Sequence, residues 1–361
     1  MPARRDDVSM VSAEPGAQSM HEKATNKKRP TQAEVARLAE VSQSTVSQVL
    51  NNNLAITLPS GTRQRVWDAI QQLGYVPDGA ARSLRTRKTY TLASIIPDIT
   101  NPFYPAVERG IQDVAERHGY DLIVYNTDGI AEKERKCLHS VQRSRVDGVI
   151  GVFFHTNAEH LRPLLERNIP VVRLEGRAQE LGSWPLDTLY IDSVGGAQTA
   201  VGYLIGRGHG RIGMIVGSKG PGPARLLGYR QALTAAGLPV LEGLIQAGDF
   251  TEQGGYQAMQ ALLSLSPQPT AVFAANDLMA MGALVALREA GMAVPEDMAV
   301  IGFDDIPAAR LMRPSLTTIT LFQDKLGRRA AEMLLERLDG SALEGGRCEE
   351  SPYQLIIRES A

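Results

Sequence analysis

Cysteine is scarce: 361 residues carry two, Cys137 and Cys348, and they stand in no C-x-x-C pair. That argues against a disulfide framework and against a cysteine-ligated zinc site, and it fits a reducing cytoplasm. Long apolar runs are missing too, with no window approaching the ~18 residues that a membrane helix requires. Residues 1–29 hold Arg4, Arg5, Lys27, Lys28 and Arg29 with no apolar core between them, so they do not read as a secretory signal. They read as a disordered polar extension ending in a short basic arm. The histidines, at positions 21, 118, 139, 155, 160 and 209, show no metal-ligand spacing. No nucleophile elbow, P-loop or dinucleotide fingerprint stands at a strand–helix junction. No metal, no cofactor and no enzymatic activity are therefore expected.

A surplus of charge of one sign is also missing from the total, where 38 Lys and Arg oppose 40 Asp and Glu for a net −2. The distribution says otherwise. From Lys27 to Lys88 there are ten basic residues and four acids, an excess of six positive charges, which leaves a deficit of eight on the rest. A small basic head precedes a large acidic body. With 361 residues, 43% of them hydrophobic, the chain exceeds the roughly 250–300 that one core serves, so at least two packed units are expected.

Within the head, Thr31-Gln32-Ala33-Glu34 is a capping-box pattern, and Val35, Leu38 and Ala39 follow it at helical spacing. Ser42 can cap a second helix over about 43–50, with Val46, Val49 and Leu50 inward. Its outward residues are Gln43, Ser44, Thr45, Ser47, Gln48 and Asn51. A third helix follows Ser60 and stops before Gly74. Two helices joined by a three-residue turn, the second showing short polar side chains, form a helix-turn-helix, whose second helix enters the major groove. Gln43, Ser44 and Gln48 lie near one exposed face, where glutamine can pair with adenine. Thr45 and Ser47 suit phosphate oxygens, and Thr31 is placed with them on the DNA-facing side. Pro77 and Asp78 then start a short helical stretch in which Ala81 and Leu84 share a face flanked by Arg82 and Arg85. That form suits a minor-groove wedge; a linker with one buried leucine is the other reading.

Together these residues resemble a family. Val35-Ala36-Arg37-Leu38-Ala39, Val41-Ser42-x-x-Thr45-Val46-Ser47-x-Val49-Leu50-Asn51, Leu73-Gly74-Tyr75-x-Pro77 and Ala80-Ala81-Arg82-Ser83-Leu84 look like the head of LacI/GalR-type bacterial transcriptional regulators. The resemblance implies that the second helix reads an operator and that Leu84 levers open the minor groove. The chain departs from the family at Gln48, where Arg is frequent, and at Glu40, where Gly is usual.

From Tyr90 onward, strands are expected over 92–96, 122–125, 149–153 and 171–174, separated by helices over 103–118, 132–143 and 159–167. The second half repeats the rhythm, with strands over 212–216, 271–274 and 299–303 and helices over 194–207, 226–236, 254–265 and 277–289. Such alternation means parallel sheets covered on both faces, with ligands beyond the carboxyl ends of the strands. Asn101, Phe103 and Tyr104 follow the first strand, Glu175 the fourth, and Asn276 and Asp304 two later ones, while Arg225 and Phe250 lie in loops of the same half. Carboxylates, amides, a guanidinium and aromatic faces are what a polyol needs. Helix caps, for the acids and Asn276, and core packing, for the phenylalanines, are the alternative uses.

Stretches 97–104, 169–172, 206–212, 274–277, 300–305 and 315–319 resemble the family's effector-binding core, itself similar to periplasmic sugar-binding proteins. That resemblance implies Phe103, Tyr104, Glu175, Arg225, Phe250, Asn276 and Asp304 at the effector. It departs at Leu321, often Gln, and at Glu175, often Asp. The expected fold is α/β: a small all-α helix-turn-helix head plus a two-lobed periplasmic-binding-protein-like core of doubly wound parallel sheets. Its parts would be an extension (1–29), a DNA-binding domain (30–76), a hinge helix and linker (77–89) and an effector-binding and dimerisation core (90–361). Lobe one would take about 90–190 and 320–348, lobe two 191–319 and 349–361. The expected function is a cytoplasmic, homodimeric transcriptional repressor on double-stranded operator DNA, controlled by a sugar or sugar derivative between the lobes. A transport-type sugar-binding protein, and a nucleobase as effector, are the alternatives.

Overall fold

The computed structural model describes residues 30–50, 58–76, 88–143, 146–174, 184–342 and 344–361. Asn51, Ala81, Leu84 and Glu175 lie outside the described residues, as do the extension 1–29 and most of the expected hinge. The chain divides into a head that runs to Gly79 and a body from Ala80.

In the head, helix α1 (Gln32–Leu38) starts at the expected capping box. The Thr31 hydroxyl accepts the Glu34 N–H at 3.3 Å, and the Glu34 carboxylate accepts the Thr31 N–H at 2.7 Å. The following turn holds Glu40 at φ 53°, a left-handed conformation that costs a residue with a side chain about 1 kcal/mol. The Ser42 hydroxyl accepts the Thr45 N–H at 3.1 Å and so caps α2 (Gln43–Leu50). Helix α3 (Thr62–Leu73) ends on Gly74 at φ 61°. Val35, Ala36, Ala39, Val46, Val49, Val66, Ala69 and Ile70 close into a core of their own. Leu38 shares the helical spacing but is 43% exposed. The small Ala36 and Ala39 bring the other helices close on one side and leave Leu38 on the flank.

The first sheet of the body contains β1 (Thr91–Ile96), β2 (Asp121–Asn126), β3 (Gly148–Val152), β4 (Val171–Leu174) and β5 (Leu186–Ile191). They run parallel in the order β5-β4-β3-β1-β2, linked by α4 (Phe103–Arg117), α5 (Ala131–Arg143) and α6 (Ala158–Leu165). The central β3 and β4 are buried along their whole length, as parallel strands covered on both faces must be. Where the chain joins β1, the Asp147 carboxylate accepts the N–H groups of Thr89 and Tyr90 at 2.7 and 2.9 Å.

After β5 the chain enters a second sheet of β6 (Ile212–Gly217), β7 (Ile245–Gly248), β8 (Ala271–Ala274) and β9 (Ala299–Ile301), in the order β7-β6-β8-β9. Its helices are α7 (Ser193–Gly206), α8 (Gly222–Ala235), α9 (Glu252–Leu263) and α10 (Asp277–Glu289). Strand β10 (Thr318–Thr320) leads back to the first lobe, where α11 (Gln323–Asp339) packs along α4. Gly110 and Gly327 sit at that crossing, where a Cβ on either would overlap the facing backbone. Strand β11 (Cys348–Ser351) then joins the edge of the first sheet beside β5, and β12 (Gln354–Ile356) pairs antiparallel with β10.

The last crossing therefore falls after Ser351, not at 349. Glu349 stays in the first lobe because Arg329 of α11 donates to its carboxylate at 2.6 and 2.8 Å. Strand β5 was not expected at all, since Asp187 interrupts its apolar run. That carboxylate is fully buried and accepts from Arg337 and Arg347 at 2.5 and 2.7 Å. Burial works to raise its pKa, but the hydrogen bonds from the two arginines outweigh it and hold the carboxyl below the usual range.

Candidate functional site

Between the carboxyl ends of the two sheets lies a cavity of about 500 Å³, where open parallel sheets bind their ligands. The first lobe contributes Asp98, Thr100 and Asn101 from the loop after β1, Phe103 and Tyr104 from the start of α4, Asp128 and Gly129 after β2, and Phe154 after β3. The second contributes Ser218 and Lys219 after β6, Arg225 from α8, Asp249, Phe250 and Glu252 around the end of β7, and Asp304 after β9.

Arg225 forms the floor and is 2% exposed. Its Nη2 lies 3.4 Å from Asp304 Oδ1, its Nη1 donates to the Ala275 carbonyl, and its guanidinium sits 3.7 Å from the Phe303 ring centroid. The Arg225 Nε is buried and finds no acceptor among the described residues. A buried guanidinium with one donor to spare is chemically disposed to bind an oxygen.

Two residues of the wall occupy left-handed backbone, Phe250 at φ 68° and Asp304 at φ 115°. Such strain persists only where the surroundings hold it. Asn276 Nδ2 donates to the Phe250 carbonyl at 3.1 Å. The Asp304 N–H donates to the Ile319 carbonyl at 2.8 Å, and Gln323 donates to the Asp304 carbonyl. Behind them Asp277 is fully buried, accepting the Thr318 hydroxyl at 2.6 Å and the Ile306 N–H at 2.8 Å. Burial first, and then the Asp304 charge, push its carboxyl well above the usual range.

The structure brings Asn101, Phe103, Tyr104, Arg225, Phe250 and Asp304 together on this cavity. The Asn101 side chain accepts the Phe103 N–H at 3.0 Å, which sets the start of α4, and the Phe103 and Tyr104 rings meet edge to face at 5.1 Å. Asn276 stands behind the wall instead. Its Oδ1 caps α10 by accepting the Met279 N–H at 3.0 Å, and its amide group holds Phe250. Glu175 lies outside the described residues. Sequence reasoning missed Asp98, Asp128, Phe154, Lys219, Asp249 and Glu252. The signal existed for Asp98 and Asp128, which follow strands, whereas Asp249 and Glu252 follow β7, four residues in which Ile245 is the one large apolar side chain and no apolar run marks a strand. Carboxylates outnumber cations on the wall, Asp98, Asp128, Asp249, Glu252 and Asp304 against Lys219 and Arg225.

On the head, Gln43 and Ser44 are exposed, and Thr45, Ser47 and Gln48 are half-buried along α2. The Ser44 and Thr45 hydroxyls lie 2.6 and 2.9 Å from that of Ser42. The Thr31 hydroxyl serves the cap of α1. No helix among the described residues is long and apolar enough to cross a membrane. No group of three His, Cys, Asp or Glu among them could hold a metal ion.

A helix-turn-helix head on a two-lobed body with a cavity at its strand ends defines a class: DNA-binding regulators built on a solute-binding fold. Residues 31–78 match the family profile of bacterial regulatory proteins, lacI family, and residues 201–361 that of the periplasmic binding protein-like domain. The chain is 38% identical to the ribose operon repressor of Escherichia coli (strain K12) over 335 residues, 92% of this chain and 99% of that protein. It is similar to the solved transcriptional regulator CelR–cellobiose complex, at 34% identity, TM-score 0.69, with 92% of this chain and 100% of that one covered. It is also similar to the lac repressor dimer bound to operator and the anti-inducer ONPF, at 26% identity, TM-score 0.81, with 92% and 99% covered. The chain belongs to the lacI family of bacterial regulatory proteins. It is a DNA-binding transcriptional regulator that answers to a small-molecule effector.

Proposed function

We propose that the protein is a cytoplasmic, homodimeric repressor whose operator affinity is set by a sugar or sugar derivative held between the two lobes. One observation carries this reading: a helix-turn-helix head shares a chain with a cavity floored by Arg225 and Asp304 and walled by aromatic rings. Two heads on two half-sites require a dimer. Gln43, Ser44 and Gln48 meet base edges, Thr31, Thr45, Ser47 and Asn51 support them at the backbone, and Ala81 and Leu84 enter the minor groove. In the cavity, Asn101, Arg225, Asp304 and Glu175 take hydroxyl groups, Phe103, Tyr104 and Phe250 stack on C–H faces, and Asn276 acts by holding Phe250.

The ribose operon repressor relative supports a sugar. So does the acid-rich wall, which accepts hydroxyl donors and repels a phosphate, and which suits a nucleobase less well. Because an effector acts only through its different affinity for two arrangements, lobe closure must alter the placement of the heads. Fluorescence anisotropy tests the reading. A duplex selected on the immobilised protein should bind about a thousandfold more tightly than a random duplex at physiological salt, and D-ribose should shift that affinity. Equal affinity for the two duplexes, with and without sugar, would refute it.

A further inference from the structure

One side chain of the cavity reaches from the first lobe to the second. Phe154 follows β3, and its ring lies against Gly129 of its own lobe and Gly220 of the facing one. Both glycines are left-handed, at φ 60° and 53°. A Cβ on Gly129 would stand 3.0 Å from the ring, and one on Gly220 would stand 2.6 Å from its Cζ, inside carbon–carbon contact distance. The ring therefore fills the space between the β2–α5 loop and the β6–α8 loop, and a side chain larger than hydrogen fits at neither glycine without moving it.

The loop that carries the ring is tied down. Glu134, in the first turn of α5 and buried, accepts the N–H of Phe154 at 2.8 Å, the N–H of His155 at 3.1 Å and the Thr156 hydroxyl at 2.8 Å. His155 Nε2 lies 3.1 Å from the Gly129 carbonyl. These bonds join no strand to another. Their effect is to hold the Phe154 backbone in place at the cavity, so that the ring meets the opposite lobe at a defined point.

From this geometry we propose that Phe154 is the gate of the cavity: it seats on Gly220 when the lobes close and slows the escape of a sugar held between them. The proposal rests on the reading of the cavity as a sugar site. It is tested with the full chain, as wild type, Phe154→Ala, Gly220→Ala and the double variant, each titrated with D-ribose and each melted without sugar. Phe154→Ala is expected to release ribose about ten times faster than the wild type. Gly220→Ala is expected to weaken ribose binding about tenfold when Phe154 is present and less than about twofold when it is Ala, because the backbone cost of alanine at 220 is common to both backgrounds. Equal effects of Gly220→Ala in the two backgrounds, or wild-type ribose release from Phe154→Ala, overturn the gate. If the wild type does not bind ribose, the reading of the cavity as a ribose site fails, and the melting curves alone judge the contact: Gly220→Ala must lower the melting temperature more with Phe154 than without it, and equal lowering removes the contact as well.

Discussion

Glu108 gives the structure a pH dependence whose sign and size can be worked out. It lies one turn after Tyr104 on α4, is 7% exposed, and its Oε1 accepts the Ser94 hydroxyl at 2.6 Å. Its Oε2 is buried with no partner among the described residues. Burial pushes the carboxyl from 4.5 up to about 7, and the Ser94 hydrogen bond opposes only part of this. A folded pKa above the unfolded one means that the stability contributed is fully present below about 4.5 and is lost as the pH rises through about 7. A rise of that size corresponds to a ceiling of about 3 kcal/mol. Glu108→Gln removes the titration, so its stability should change less between pH 5 and 8 than that of the wild type, by up to that amount. The difference in slope is the readout, because an amide without a partner costs about 1–3 kcal/mol at every pH. Urea unfolding followed by circular dichroism, at one protein concentration throughout because dimer stability depends on it, measures both profiles. Parallel profiles for the two chains would refute the buried, raised carboxyl.

Glu40→Gly should stabilise the head by about 1 kcal/mol by relieving the left-handed turn; the unfolding transition of α3, followed by Trp67 fluorescence in a Trp184→Phe chain, reports it. Asp304→Asn should abolish the sugar response while operator binding persists, and should cost about 3 kcal/mol of stability because it leaves Arg225 buried without its countercharge; calorimetric sugar titration and thermal melting measure the two effects. Gln48→Ala should weaken selected-operator binding by about 1–3 kcal/mol and relax the preference at one base pair, with random-duplex affinity unchanged; competition anisotropy separates these.

Much of this was legible in the sequence wherever the cause was local. Thr31 and Glu34 make their cap across three positions, and Gly74 ends α3 where the backbone must turn left-handed. The strand–helix alternation placed Asn101, Phe103, Tyr104 and Asp304 at strand ends, and the ends converge because parallel strands share a direction. What stayed hidden depends on distant partners. Asp187 makes β5 look like a loop until Arg337 and Arg347, some hundred and fifty positions on, neutralise it. Glu349 hides β11 in the same way until Arg329 holds it. Asn276 shows the converse: besides any ligand its position after a strand had suggested, its amide accepts the Met279 N–H at the cap and donates to the Phe250 carbonyl. Phe154 is an ordinary phenylalanine at the end of a strand until the second lobe brings Gly220 against it.

The central claim is that one chain couples a sugar site to an operator site, and coupling between two binding equilibria must be reciprocal. The most direct test is therefore to titrate D-ribose into the free protein and into its operator complex. The account predicts two affinities that differ by about fivefold or more, the same factor by which saturating ribose changes operator affinity. Identical ribose affinities in the two titrations would contradict it.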